Sequence, residues 1–345
     1  MSPGRRAERA QLPNMSERRA RRTVVPTDFF PSRPPAGATS RARGFTADDS
    51  FIVFAYATLA RELAAFAHAR PPADRAPTPD NVHQLRVAAR RLRVALRLFR
   101  RLLPSRDVAR LRTDLRWLAS SLGDLRDLDV YTDSFKAYCL DLPAVQRDQL
   151  SGYELYLRRE RAEARRRATA ALAAPRASAL FDEAARFVER EPTPGAMRRW
   201  RSLTVQEGIR ASLRRSTARV RRIGSRLTAR SRAAELHELR IKAKRLRYEL
   251  EFFAEVCSAL KSPAKACKAL QDLLGTHQDA CTATTRLRRY ARSLKKSNGA
   301  AGPLPAALVH LRRSQLARAR SVRAAFADQW PAFVAVIDDA RHTIA

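Results

Sequence analysis

Residues 81–99 read NVHQLRVAARRLRVALRLF, and residues 235–253 read ELHELRIKAKRLRYELEFF. The first stretch carries five arginines and a histidine, the second three arginines, two lysines and a histidine. Both are threaded with leucine at helical spacing. Placed on one another, His83 meets His237, Leu85 meets Leu239 and Arg86 meets Arg240. Arg91, Leu92 and Arg93 then meet Arg245, Leu246 and Arg247, Leu96 meets Leu250, and Phe99 meets Phe253. Each partner lies 154 residues further on, as 237 does from 83. Downstream, WLASSLGDLRDLDV (117–130) aligns with ALQDLLGTHQDACT (269–282) after a slip of two residues, pairing Gly123 with Gly275 and Asp127 with Asp279. Two motifs in the same order and nearly the same register indicate a duplicated half, each long enough for an up-down bundle of about four helices.

At 100° per residue, His83, Arg86, Arg90, Arg93 and Arg97 share a sector of about 80° on one helix. Leu85, Ala89, Leu92, Leu96 and Phe99 occupy roughly the opposite sector, and Val87, Val94 and Leu98 add a narrower apolar edge. The second copy places His237, Arg240, Lys244 and Arg247 together, against Leu239, Ala243, Leu246, Leu250 and Phe253. One face packs; the other is a ladder of cations flanked by protein, which is a groove. Ladder residues rise about 4.5–6 Å per step, close enough for one extended phosphate chain to meet several of them. Arginine's planar fork holds two phosphate oxygens at once. Like charges at i,i+3 and i,i+4 cost a few tenths of a kcal/mol per pair in a free helix, so a pattern that repeats this cost points to a ligand. The competing reading is a solvated face bridged by neighbouring carboxylates such as Asp114, Asp124 and Asp272. Among arginines, both histidines are expected to lean toward neutral in the empty protein.

The whole chain is as basic as its motifs. Its 345 residues carry 68 lysines and arginines against 34 aspartates and glutamates, a net charge of +34, with an ordinary apolar fraction of 45%. Only eight of the 68 basic residues are lysine. An arginine-rich composition of this kind accompanies GC-rich coding sequence, so placement carries the argument and number does not. An excess of this sign suggests a polyanionic partner: nucleic acid, an anionic membrane or inorganic phosphate chains. No apolar run approaches the ~20 residues that span a bilayer, and the basic N-terminus has no apolar signal core. Cys139, Cys257, Cys267 and Cys281 show neither a CxxC pair nor zinc spacing. Reduced thiols and a cytoplasmic location are the expectation, with no cofactor or metal.

Residues 1–45, basic and proline-bearing, read as a disordered arm. EREPTPGA (189–196) is the best internal boundary, dividing a first helical half (46–190) from a second (197–340). Helices are expected at 48–69, from Asp80 or Asn81 as cap to Pro104, from 107 to Gly123, on through Tyr138, over 141–174 as one long helix, and at 178–190. The second half predicts 197–227, 233–257, 262–275, 278–296 and 304–340. No β-type alternation occurs anywhere, so the fold class is all-α. Asp127, Asp129 and Asp133 could collect Mg²⁺, but Arg126 sits among them and the second copy keeps only Asp279. Capping or bridging of arginines is the expected role.

The two copies of H-x-x-R-x-x-x-[RK]-R-L-R, each followed by an L-G-x-x-x-D block, resemble the CHAD family, the conserved histidine α-helical domain. The resemblance covers about residues 46–340; GTHQDACT is an untidy version of the second block. It implies two tandem four-helix bundles related by a pseudo-twofold, with basic helices lining a central groove. It further implies binding of inorganic polyphosphate, with bacterial members found at polyphosphate granules. Carried over by position, the implied ligand residues are His83, Arg86, Arg90 and Arg93, then His237, Arg240, Lys244 and Arg247. Arg97 joins them from the wheel alone. Arg91 and Arg245 match the motif but point away from the ladder. Many relatives carry a β-barrel triphosphate tunnel domain with an E-x-E-x-K strand, and this sequence has no such strand; the resemblance implies a stand-alone binding module and no enzyme.

Two other functions compete with that one. A nucleic-acid binder would use phosphate contacts alone, but aromatics for base stacking are scarce near the motifs and no known nucleic-acid module is recognisable. A polyphosphate-cleaving enzyme would need an acidic metal cluster in both halves or a phosphate-cradling glycine loop, and neither occurs.

Overall fold

Helices follow one another from Phe51 to Thr343 in a computed structural model that describes residues 44–72, 77–188, 190–297 and 304–343. The arm expected over 1–45 therefore lies almost wholly outside the described residues. The first half contains α1 (Phe51–His68), α2 (Pro79–Leu98), α3 (Ser105–Ser121), α4 (Gly123–Leu140), α5 (Ala144–Asp148), α6 (Ser151–Ala173) and α7 (Pro175–Val188). The second contains α8 (Pro194–Trp200), α9 (Val205–Gly224), α10 (Ala233–Phe253), α11 (Lys261–Ser297) and α12 (Ala306–Thr343). No strand occurs among the described residues beyond one isolated antiparallel bridge between Ser50 and Thr204.

Several boundaries differ from the sequence pattern, each for a local reason. The helix at 141–174 is broken between α5 and α6, with Gln149 and Leu150 closing the short helix through carbonyls of Val145 and Arg147. The segment expected as 197–227 breaks after Trp200, because Thr204 starts α9 afresh with a capping box to Glu207. Pro104 does not end α2, which stops at Leu98; it is the residue before α3. The expected gap near 276 is absent, so α11 runs through Gly275 without interruption.

The duplication is visible in the packing. In the second half α9, α10, α11 and α12 close a ring. The first half builds the same ring from α1, α2, the pair α3–α4 and the pair α6–α7. Two of its four members are in pieces, bent at Leu122 and interrupted at Ala174 before Pro175. The halves meet where α1 approaches α9 and α2 crosses α10. Phe51 N–H donates to the Leu203 carbonyl and Val205 N–H donates to the Asp49 carbonyl, both at 2.8 Å. Positions 49, 50 and 51 are the counterparts of 203, 204 and 205, so these bonds exchange under the repeat and mark a pseudo-twofold axis.

Around that axis sits a cluster of aromatic rings. Phe51 packs on Phe99 and Phe253, themselves counterparts, with centroids 5.7 and 6.4 Å away, and Phe54 lies 6.1 and 6.0 Å from the same two rings. Burying each such side chain contributes roughly 1.5–3 kcal/mol, and the buried side chains of the two halves form one continuous core. Helix α1 is long and apolar enough by composition to cross a membrane. It carries Arg61 and Glu62 in its middle, and Phe54, Leu59, Leu63 and Phe66 are buried in the core.

Candidate functional site

The two motif helices are fixed first by their ends. Thr78, not Asp80 or Asn81, caps α2: its hydroxyl accepts the Asn81 N–H at 3.1 Å while Asn81 Oδ1 accepts the Thr78 N–H at 3.2 Å. Pro79 then occupies the first helical position, where its missing N–H costs nothing. At α10 the Glu235 carboxylate accepts the Arg232 N–H at 2.7 Å. The apolar faces are then driven inward as their spacing requires. Leu85, Ala89, Leu92, Leu96 and Phe99 are buried, and so are Leu239, Ala243, Leu246, Leu250 and Phe253. The opposite faces carry the ladders.

Where α2 crosses α10 the two ladders converge. Lys244 is the centre: burial first, then the charges of Arg90, Arg240, Arg247 and Arg86, push its ammonium down to about 7. Burial, helped by Arg126 and Arg90, also lowers the His83 imidazole, which is thus biased toward neutral in the empty protein. His237 donates from Nδ1 to Gln278 Oε1 at 2.8 Å, which fixes its ring. The ion pairs made by α2 and α10 belong to Arg86, Arg91, Lys242 and Arg247. Arg90, Arg93, Arg97, Arg240, Lys244 and Arg245 make none with a carboxylate among the described residues. Arg240 Nε is buried without a hydrogen-bond partner, a cost of about 1–3 kcal/mol unless a ligand relieves it.

The L-G-x-x-x-D block now has a physical role. A Cβ on Gly123 would stand 3.1 Å from Arg86 Nη1, and one on Gly275 would stand 3.7 Å from Arg240 Nε. Gly123 therefore lets Arg86 lie close against the neighbouring helix, whereas Gly275 leaves room for a Cβ in ordinary contact with Arg240. Asp127, one turn beyond Gly123, sits 3.8 Å from Arg86, which also donates to the Ala119 carbonyl at 3.3 Å. In the other copy Asp279 is the strongest acidic influence on Arg240. The arginine-bridging role expected of the block fits this geometry. Asp129, by contrast, is buried beneath α6 and paired with Arg161 at 2.6 Å. No group of three His, Cys, Asp or Glu side chains among the described residues is placed to hold a metal ion. Asp114, Asp124 and Asp272, the carboxylates named as alternative bridges, form ion pairs with Arg176, Arg167 and Lys268, while the charges of Asp124 and Asp272 still reach Arg86 and Arg240.

Not all of the sequence-derived residues share one place. His83, Arg86 and Arg90 gather with Arg240, Lys244 and Arg247. Arg93 and Arg97 lie further along α2, where the neighbouring charges are Arg112 and Arg116 of α3, Arg219 of α9, and Arg245. The matching pair Arg91 and Arg245 separates completely. Arg91 is a structural tie: it holds Glu62 by two bonds of 2.9 Å and Glu251 by one of 2.8 Å. Burial would lower its guanidinium, but Glu62 and Glu251 hold it above its ordinary value, and it lies over the Phe252 ring at 5.0 Å. Arg91 is thus withdrawn from any ligand set. Arg245 lacks these partners and faces cations.

Arg126 of α4 sits inside the second motif and was weighed there only against metal binding; Arg112 and Arg116 on α3 and Arg215 and Arg219 on α9 were missed by motif reasoning. The latter lie outside the two repeated stretches. Extending the 154-residue offset back to α1 and α9, which start at Phe51 and Val205, would have matched Arg61 with Arg215.

With an all-α fold doubled about an axis and two ladder helices crossing at its centre, the comparisons agree with the residues. The chain belongs to the CHAD domain family, whose model matches residues 57–288. Two uncharacterized proteins from two strains of Mycobacterium tuberculosis are 27% identical over 222 residues, which is 63% of this chain and 42% of theirs. The match thus spans less than half the length of these curated relatives. Among solved structures, the CHAD domain from the plant Ricinus communis is similar with a TM-score of 0.64 at 25% identity, covering 87% of this chain and 97% of that one. PptA from Streptomyces chartreusis has a TM-score of 0.64 at 20% identity, covering 82% and 100%, a likeness of fold.

Proposed function

We propose that the chain binds inorganic polyphosphate, without chemistry on it, in the cationic cleft formed where α2 crosses α10. The ligand groups are His83, Arg86, Arg90, Arg240, Lys244 and Arg247, with Arg93 and Arg97 continuing the ladder. The observation that carries the reading is that Arg90 and Lys244 form no ion pair among the described residues and Arg240 feels carboxylates only through the charges of Asp279, Asp127 and Asp272, in a protein that pairs many other arginines with carboxylates. A partly buried lysine pushed down to about 7 by burial and four arginines is a site short of negative charge. A linear chain with one charge per unit supplies that charge along a ladder, and the fork geometry of arginine suits its oxygens. The family resemblance points to the same ligand and to the cytoplasm, at polyphosphate granules.

Competition at physiological salt tests this. Labelled long-chain polyphosphate is displaced by unlabelled polyphosphate, single-stranded DNA, RNA and ATP at equal phosphate concentration. Wild type is compared with a variant carrying Arg86→Ala, Arg93→Ala, Arg240→Ala and Arg247→Ala. Polyphosphate is expected to win by tenfold or more, and the variant to lose that advantage while staying helical. Equal competition by nucleic acid with an unaffected variant would overturn the reading and make the charge generic.

A further inference from the structure

The pseudo-twofold supplies an internal control for part of the positive surface. On one side of the axis six side chains form a neutral ionic knot. Arg61 holds Glu255 at 2.6 Å, Arg91 holds Glu62 and Glu251 at 2.9 and 2.8 Å, and Arg247 lies 3.1 Å from Glu251. Three arginines face three glutamates. The counterparts of those six positions, 154 residues away, have a different composition. Arg61, Arg91 and Arg247 correspond to Arg215, Arg245 and Arg93, so the arginines are kept. Glu62, Glu251 and Glu255 correspond to Ser216, Arg97 and Arg101, so every carboxylate is lost and two become arginine.

Helix α10 packs on both α2 and α9, so the mates share one neighbourhood. After burial, the charge acting most strongly on Arg245 is that of Arg97, and the charge acting most strongly on Arg215 is that of Arg101. Arg219, whose counterpart is Ala65, adds a further cation to both Arg97 and Arg245. Glu249, beside Ser216, is a carboxylate whose charge reaches Arg97, Arg215 and Arg245, and burial pushes its acid up to about 7. It cannot balance six arginines. Arg101, Arg215 and Arg219 are exposed and Arg93, Arg97 and Arg245 half-buried, so the cluster is open to a ligand. It is continuous with the cleft, because Arg90 acts on both Lys244 and Arg93, one helical turn on.

We propose that Arg93, Arg97, Arg101, Arg215, Arg219 and Arg245 form a second anion site, which receives the continuing length of a linear polyphosphate lodged in the α2–α10 cleft. The proposal rests on the polyphosphate reading and adds a length requirement to it. A short phosphate fills the cleft alone; a long chain engages both sites and gains affinity from the second. Two sites on one scaffold act as a linked pair, in which the second contact is made at high effective concentration.

The test installs two of the knot's own carboxylates at mate positions outside the α2 ladder, as Arg101→Glu and Ser216→Glu together. These residues already coexist with the same arginine arrangement elsewhere in the fold, so the empty variant is expected to melt at or above the wild-type temperature. Its affinity for long-chain polyphosphate is expected to fall tenfold or more at physiological salt, and its affinity for tripolyphosphate to stay within twofold. An unchanged long-chain affinity overturns the second site, and so does an equal loss for tripolyphosphate, which would make the surface one undivided site. If single-stranded DNA loses as much affinity as polyphosphate, the cluster is a nucleic-acid contact and the proposal falls. Should this variant not fold, Arg101→Gln with Arg215→Gln, at exposed positions, reads the same long-against-short difference. The parent reading fails on other residues: Arg86→Ala with Arg240→Ala would then leave tripolyphosphate and long chains equally well bound.

Discussion

Lys244 is the most exposing residue to perturb, because its charge state reports whether an anion is present. In the empty protein its ammonium is pushed from an ordinary 10.5 down to about 7 by burial and by Arg90, Arg240, Arg247 and Arg86. A tenfold change in proton affinity is worth about 1.4 kcal/mol, so an anion that cancels those charges can recover at most about 5 kcal/mol through this one proton. The lysine is depressed in the folded state, so the unfolded chain holds more protons between pH 7 and 10.5. Its contribution to the empty protein's stability therefore rises across that window as pH rises. Binding has the opposite sign. With polyphosphate restoring the ammonium to its ordinary range, wild type takes up about 0.9 proton per site at pH 8, about 0.5 at pH 7 and about 0.1 at pH 6, and affinity falls about tenfold per pH step above 7. Calorimetric titration at pH 8, in two buffers of different ionisation enthalpy, measures the uptake directly. Lys244→Arg, which keeps the charge and does not titrate, is expected to remove most of it, while every other group is the same in both proteins. No proton uptake by wild type, or the same uptake by Lys244→Arg, would refute the reasoning.

The two members of the pair Arg91 and Arg245 are expected to behave oppositely. Arg91→Ala leaves Glu62, 3% exposed, without its bidentate partner and costs about 3 kcal/mol in urea unfolding, whereas Arg245→Ala removes repulsion from Arg97 and leaves the melting temperature equal or higher. Gly123→Ala places a methyl group 3.1 Å from Arg86 Nη1; long-chain polyphosphate affinity is expected to fall about fivefold, equivalent to about 1 kcal/mol, with no loss of stability because alanine favours helix over glycine. Gly275→Ala, with 3.7 Å of room to Arg240, is expected to bind within twofold of wild type in the same titration. Thr78→Ala removes the α2 cap and is expected to cost about 1 kcal/mol by thermal or denaturant unfolding, with polyphosphate binding retained once the chain is folded.

The repeat explains how much of this was legible. The buried faces of α2 and α10 follow from period alone, since Leu85, Leu92 and Leu96 and their counterparts leave one inward sector each. The cap of α2 was misread because Asp80 and Asn81 are both good caps in isolation; Pro79 is what forces Thr78 into the role, by occupying the first helical position. Gly275 suggested a helix end that α11 does not have: the helix runs on through it, and a Cβ there would stand only in ordinary contact with Arg240. Arg91 and Arg245 have the same motif context, and the difference between them lies in Glu62, Glu251, Ser216 and Arg97. Two of those four sit on α1 and α9, outside both repeated stretches, and local periodicity says nothing about which side chains a fold brings in from another helix. Arg112, Arg116 and Arg219 were missed for the same reason.

The divergence between the two copies also bears on how the halves hold together. Arg61, Glu62 and Arg91 come from the first half and Arg247, Glu251 and Glu255 from the second, so the knot is an ionic seam across the junction of α1, α2 and α10. Its mate lies across the other junction, where Arg93, Arg97 and Arg101 of the first half face Arg215, Arg219 and Arg245 of the second. Like charges at this separation oppose closure, by a few tenths of a kcal/mol for each exposed pair and more where Arg97 and Arg245 are half-buried and less screened. The empty protein tolerates that opposition because the aromatic cluster around Phe51, Phe99 and Phe253 already joins the halves. On the proposed reading, a polyphosphate chain crossing from Lys244 to Arg245 completes the second seam, doing with its own oxygens what Glu62, Glu251 and Glu255 do in the first. On that reading, positions 97, 101 and 216 are where a structural contact in one junction and a place for a ligand in the other part company.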